Sequence, residues 1–305
     1  MRLRPLIAII TMPPPLDAFF QPSPGGGQRL YLHHTPPTGQ ALKGAVLYIH
    51  PWAEEMNKSR RMASMASRAL AAEGWAVLQV DLLGCGDSSG EFGDATWQAW
   101  TSDVICAAQW LTACHPGAPL WLWGLRAGTL LATAAAPHIN APLNLLFWQP
   151  SLQGKAVLQQ FLRLKAAAQL ADGTGKAVLE ATRADLTAGK TVEVAGYALG
   201  AGLSRGLEVA ALHPPPVEPG RLVWLEVSTQ IELTMSPASE SAWPRWQHAG
   251  WHVEAHVVTG PPFWQTTEIE DAPALVAATL SALQTSLPIN DGSAITSATA
   301  LSMTR

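Results

Sequence analysis

Apolar residues recur along this chain in two alternating rhythms. Short runs rich in β-branched and aromatic residues at 28–34, 44–50, 75–81, 119–123, 143–148, 221–227 and 252–258 predict strands. Between them, apolar residues at helical spacing over 59–73, behind Ser59 and stopped by Gly74, predict a helix, as do 94–114, 127–136 and 272–283. With connections of a few residues, strand and helix in turn require a mostly parallel sheet with right-handed crossovers and helices on both faces. The rhythm breaks over 151–216, where helical segments rich in Ala, Leu and Gly run up to Pro214, Pro215 and Pro216. This stretch reads as an inserted helical cap, and its small residues predict looser packing than in the core. The expected organisation is an N-terminal extension over 1–27, a core over 28–150 and 217–287, the cap over 151–216 and a disordered, Ser/Thr/Ala-rich tail over 288–305. Residues 1–11 join poorly to the proline-rich segment after them, which makes Met12 the expected start.

Composition narrows the class. With 48% hydrophobic and 14% charged residues, a disordered, collagenous or coiled-coil chain is excluded. Nineteen Lys and Arg against 23 Asp and Glu, a net charge of −4, leave no basic stripe for nucleic acid. Cys85, Cys106 and Cys114 are odd in number and lack metal-type spacing, so neither a disulfide framework nor a zinc site is implied. No apolar run approaches the roughly 20 residues that span a bilayer. Residues 6–10 are too short for a signal peptide and lack a cleavage signature. A cytoplasmic protein without cofactor, metal or membrane span is expected.

The informative segment runs from Leu120 to Gly128, LWLWGLRAG: an apolar strand, Gly-x-x-x-Gly and a helix of small residues. This is the frame of a nucleophile elbow, in which two glycines permit a tight strand-to-helix turn and the central side chain projects above the sheet. Here the centre is Arg126, which stays protonated and serves as neither nucleophile nor base. His50-Pro51-Trp52 follows the second buried strand, and a D-x-x-G-x-G-x-S turn from Asp81 to Ser88 follows the next. The whole order resembles an α/β-hydrolase with a cap inserted before the last two strands. More narrowly, HPWAEEMNKSRRMA, DLLGCGDSSGEF, GLRAGTLLA, FWQP with FLRLK, EVAGYALG and GPPFW together are similar to exosortase A system-associated hydrolase 2, over residues 16–283. That resemblance implies a bacterial protein encoded beside exosortase and exopolysaccharide functions in organisms that sort PEP-CTERM proteins. It implies no particular reaction.

The α/β-hydrolase fold requires nucleophile, acid and histidine in that order, with the histidine in the loop after the last strand. All nine histidines precede that loop: His256 lies inside the final strand, and the loop itself reads Gly260-Pro261-Pro262-Phe263-Trp264. The segment that should supply the acid offers only Glu232. Ordinary serine-type acyl transfer is therefore not expected. A helix N-terminus with a guanidinium would instead suit a carboxylate or phosphate, with amides from Ala127 and the Trp52 loop contributing and Leu125, Trp148 and Trp264 lining the site. The alternative is internal neutralisation of Arg126 by Glu54, Glu55 or Asp87, since buried charges are normally paired. One of Glu54 and Glu55 reads as a helix-start residue and the other as a carboxylate turned into the site, able to act as acid or base. His50 reads as an orienting hydrogen-bonder, Ser88 and Ser89 as turn residues, and Cys85 as a thiol without activation. Two functions remain open. One is a hydrolase-like enzyme acting on an anionic or ester substrate through Arg126, His50 and Glu54 or Glu55. The other is a catalytically silent pseudohydrolase that binds an anionic ligand or a protein partner of the exosortase system.

Overall fold

A computed structural model describes residues 14–167 and 175–284. The expected start at Met12 and the expected disordered tail lie outside the described residues. Eight strands form one sheet: β1 (Leu16–Pro22), β2 (Gln28–His34), β3 (Gly44–Ile49), β4 (Trp75–Val80), β5 (Leu120–Leu125), β6 (Leu143–Trp148), β9 (Arg221–Ser228) and β10 (His252–Thr259), in the order β1-β2-β4-β3-β5-β6-β9-β10. Six of these, from β4 to β10 in the sheet, are mutually parallel, and β2 runs against both of its neighbours. The expected N-terminal extension thus contains a strand. β1 pairs with β2 from Leu16 opposite His34 to Pro22 opposite Gln28. Its surrounding prolines read as breakers, yet proline is tolerated on an edge strand, which is where β1 lies.

Helices cover both faces. On one side α1 (Glu54–Ala72) and α9 (Pro273–Gln284) pack on Val46, Trp121, Trp123, Leu146 and Trp148. On the other, α2 (Trp97–Cys114), α3 (Gly128–Ala135) and the short α7 (Pro237–Ala242) and α8 (Pro244–His248) meet Leu47, Leu122, Leu145 and Phe147. The two sets alternate along each strand. This is why the central strands read as unbroken apolar runs rather than alternating ones. β3 pairs with both β4 and β5, so the chain leaves it toward one edge of the sheet and later returns on the other side. In open α/β sheets the crevice beyond the carboxyl ends at such a switch point is the ligand-binding position. The loops after β3 and β5 both emerge there.

The insertion is α4 (Gly154–Ala167), α5 (Gly175–Thr187), an antiparallel pair β7 (Val192–Val194) and β8 (Tyr197–Leu199), and α6 (Ala201–Val209). It is therefore not purely helical. Its glycines also permit closer packing than their number suggested: a Cβ on Gly206 would lie 2.1 Å from the Cβ of Trp97, and one on Gly154 would lie 1.9 Å from the Leu207 carbonyl. Phe161 of α4 packs edge-on against Trp52 of the core at 5.7 Å, and Tyr197 against Phe92 at 5.1 Å.

At the opposite edge of the sheet, His33 Nε2 lies 3.1 Å from His115 Nε2, and the His33 ring packs against Trp110 at 5.1 Å. Burial, with the neighbouring His115 adding to it, pushes His33 down from 6.5 to about 4, while Asp17 on β1 opposes the shift. The folded chain thus binds fewer protons than the unfolded chain between those values. This contribution is present above pH 6.5 and is lost as pH falls toward 4. Urea midpoints should accordingly fall between about pH 7.5 and about pH 4.5, and His33→Leu should fall less. An equal fall in the variant would contradict this origin.

Candidate functional site

Arg126 sits at φ 53°, in the left-handed region that non-glycine residues rarely occupy. Its N–H donates to the Trp148 carbonyl at 3.0 Å, and its own carbonyl accepts from Thr129 Oγ1 at 2.7 Å and from the Ser151 N–H at 3.3 Å. Gly128 is required here: an added Cβ would lie 2.2 Å from the Ile49 carbonyl oxygen. Gly124 is required as well, since its Cβ would meet the Thr129 nitrogen at 2.6 Å. Ala53, after β3, and Gln149, after β6, also take positive φ, 43° and 42°. Three strained residues therefore crowd the carboxyl ends of three adjacent strands, at about 1–3 kcal/mol each. Such strain persists where surrounding contacts over-determine it.

The Arg126 guanidinium donates from Nη2 to Glu55 Oε1 at 3.2 Å and from Nε to the same oxygen at 3.3 Å. Its other side faces the Trp264 ring, 5.3 Å from the centroid. The side chains of Arg126 and Glu55 are 17% and 8% exposed. Glu55 comes from the first turn of α1, positioned by its N–H donating to the Trp52 carbonyl at 3.0 Å. Burial pushes its carboxyl up from 4.5 to about 7, against the lowering effect of Arg126. Trp264 is held by an aromatic ladder: Tyr48 to Trp123 and Trp123 to Trp148 at 4.5 Å each, Trp148 to Phe263 at 6.3 Å, and Phe263 to Trp264 at 5.2 Å. Arg126 thus lies in the turn between β5 and α3, with Trp264 from the loop after β10 packed against its guanidinium.

Of the expected neutralising partners, Glu55 is the one used. Glu54 is half-buried, and Asp87 is exposed, with its N–H donating to Asp81. His50 is buried: Nδ1 is 2.8 Å from the Pro51 carbonyl, and Nε2 accepts from the Leu82 N–H at 3.4 Å. These contacts place the proton on Nδ1, and burial lowers the tendency to take a second one. His50 thus has both ring nitrogens engaged by backbone groups of the loops after β3 and β4. Leu125 and Trp148 are fully buried. Strand alternation turns both into the layer under α1 and α9, where the Trp148 Nε1 donates to Thr279 Oγ1 at 2.9 Å. Trp52 and Ala127 are buried at the switch point. Glu232 is exposed, and His256 lies mid-strand, 2.9 Å from Glu254 Oε1. Ser88 and Ser89 bind backbone groups of the turn and of β2, and burial raises the Cys85 thiol.

Two residues escape a reading of the sequence. Ser151 is buried beside the elbow, and its Oγ has no hydrogen-bond partner among the described residues; a serine after a strand carries no signal of that. Glu226, buried on β9, accepts from the Ser236 N–H at 2.9 Å and from the hydroxyls of Ser236 and Ser239, so it anchors α7. It stands near where a triad acid would be sought, yet its oxygens are committed to that helix. Among the described residues, no group of three or more His, Cys, Asp and Glu side chains is arranged to hold a metal ion, and no helix is long and apolar enough to cross a membrane.

Sheet order, elbow and cap position together define an α/β-hydrolase fold, and comparison with known proteins agrees. A family model described as serine aminopeptidase, S33, matches residues 40–181, a little under half of the chain. Similar solved structures include the hypothetical protein PA2218 from Pseudomonas aeruginosa (TM-score 0.57, 12% identity, 92% of this chain and 98% of that one). Est1E from Butyrivibrio proteoclasticus with ferulic acid bound has TM-score 0.55 and 13% identity over 87% of this chain and 96% of that one. XC6422 from Xanthomonas campestris, a serine hydrolase without a lid, has TM-score 0.52 and 15% identity over 90% and 94%. At these identities the likeness is one of fold. Human protein ABHD12B is 37% identical over 91 residues, 30% of this chain and 24% of that protein's length.

The Glu55–Arg126 pair should be visible in a double-mutant cycle. Glu55→Gln and Arg126→Leu should each destabilise by about 1–3 kcal/mol, less than a fully buried pair because Arg126 retains some solvent. The double variant should fall short of their sum by about 1 kcal/mol. Because the Glu55 pKa is raised on folding, its contribution is present below 4.5 and lost as pH rises through about 7. The deficit of Glu55→Gln should therefore narrow across that window. Strict additivity would refute the pairing, and a pH-independent deficit would refute the raised pKa.

Proposed function

We propose that this α/β-hydrolase-fold protein is catalytically silent and acts by binding. One observation carries the reading: the Arg126 guanidinium lies between Glu55 and Trp264 where a nucleophile and its histidine would face each other. Serine-type acyl transfer needs a base able to take the nucleophile's proton. His50 has both nitrogens engaged by backbone groups, and the loop after β10 holds an aromatic residue instead of a histidine. Internal pairing also weakens the idea of the elbow as an open anion site, because Glu55 already occupies the guanidinium.

The motifs HPWAEEMNKSRRMA, GLRAGTLLA and GPPFW support placing the protein in a bacterial exosortase and exopolysaccharide system, where its binding partner would be a sorted protein or an envelope precursor. One feature favours turnover instead. A carboxyl pushed to about 7 is suited to acid–base chemistry near neutral pH. A neutral-pH ester activity lost in Glu55→Gln would establish that reading.

The test is p-nitrophenyl ester hydrolysis by wild type, Arg126→Leu and Arg126→Ser. All three should match the spontaneous rate, because restoring serine at the elbow supplies no base. Turnover by wild type that Arg126→Leu abolishes would overturn the proposal, and serine-inhibitor-sensitive turnover by Arg126→Ser would show that a base is present.

A further inference from the structure

We infer that the cap carries a binding site for a single-chain amphipathic anion, an alkyl carboxylate being the simplest member. A cavity of about 280 Å³ lies among α4, α5 and α6, away from the elbow. Its floor is apolar: Leu158 and Leu162 from α4 and Leu186 from α5 are buried there. Its mouth is cationic. Lys155, Arg183 and Arg205 line it against one carboxylate, Glu208, in a chain whose net charge is −4. Lys155 and Arg183 form no ion pair among the described residues, so their charge is free to meet a ligand's head group. Arg205 is partly engaged, donating from Nη2 to the Thr187 carbonyl at 3.4 Å.

Apolar floor and cationic rim select a ligand with one apolar chain and one negative head. At about 280 Å³ the space lies just below the roughly 300–1,000 Å³ of pockets for drug-sized molecules, so it suits a single alkyl chain and not a two-chain lipid. Methylenes leaving water supply the affinity, and the rim charges supply the preference for an anion. The same helix connects the cavity to the core, because Phe161 lies between Leu158 and Leu162 in sequence and packs on Trp52. This inference gives the non-catalytic reading its ligand class and rests on it, since an esterase would meet such an anion as a product.

Calorimetric titration with decanoate, decanol and acetate tests it on the whole protein. Decanoate should bind about fivefold or more tightly than decanol, and acetate should not bind measurably. Lys155→Ala/Arg183→Ala, which removes two exposed side chains, should lose the preference for decanoate over decanol. Gln159→Trp, which fills the half-buried lining between the floor leucines, should lose both ligands. Decanoate should also slow amide exchange in α4 and α6. No decanoate binding, equal binding of decanoate and decanol, or an unchanged preference in the double variant would overturn the site. If decanoate fails to bind and p-nitrophenyl decanoate is not hydrolysed, the site alone falls. Hydrolysis of that ester would make decanoate a product and overturn both readings.

Discussion

The ion pair between Glu55 and Arg126 is the interaction on which the arrangement at the switch point depends. Two helices, α1 and α3, begin there, and each presents unpaired N–H groups and a partial positive charge. A guanidinium at the start of α3 adds a third positive source where a cation is least favoured. Glu55 answers all of them at once, since it lies in the first turn of α1 and reaches the guanidinium across the crevice. The same pairing explains how a buried carboxylate is tolerated although burial pulls it toward the neutral form. Trp264 closes the other side of the guanidinium, and the aromatic ladder behind it ties that position to β3, β5 and β6.

The fold is largely legible in the sequence because its central strands are buried on both faces and its helices are not. Uninterrupted apolar runs such as Leu120–Leu125 stand out against the helical spacing of α1, and short connections leave little choice of topology. β1 is not legible because its evidence is an edge strand's: mostly exposed side chains bounded by proline. The β7–β8 pair is hidden because two three-residue strands carry no periodicity. Small residues in the cap mislead in the opposite sense, since Gly154 and Gly206 mark close contacts instead of slack ones.

At the site, residue types are readable and directions are not. Gly124, Gly128 and the absence of a histidine after the last strand follow from the sequence, and the backbone contacts explain why both glycines are needed. Which of two adjacent glutamates turns inward depends on the helical phase of α1. That phase is set by Ala53 at positive φ, a conformation that alanine does not advertise. Leu125 and Trp148 are buried in the layer under α1 and α9, because alternation along β5 and β6 decides which face of the sheet a side chain joins.

The central claim is that the elbow is sealed by a buried carboxylate held against Arg126. The most direct measurement is an NMR titration of the Glu55 carboxyl carbon in wild type and Arg126→Leu, each at constant ionic strength. A midpoint near 7 in wild type, raised further when the guanidinium is removed, is the predicted result. A midpoint at the ordinary glutamate value that does not move in Arg126→Leu would show a solvated carboxylate and an open elbow, and would contradict the account.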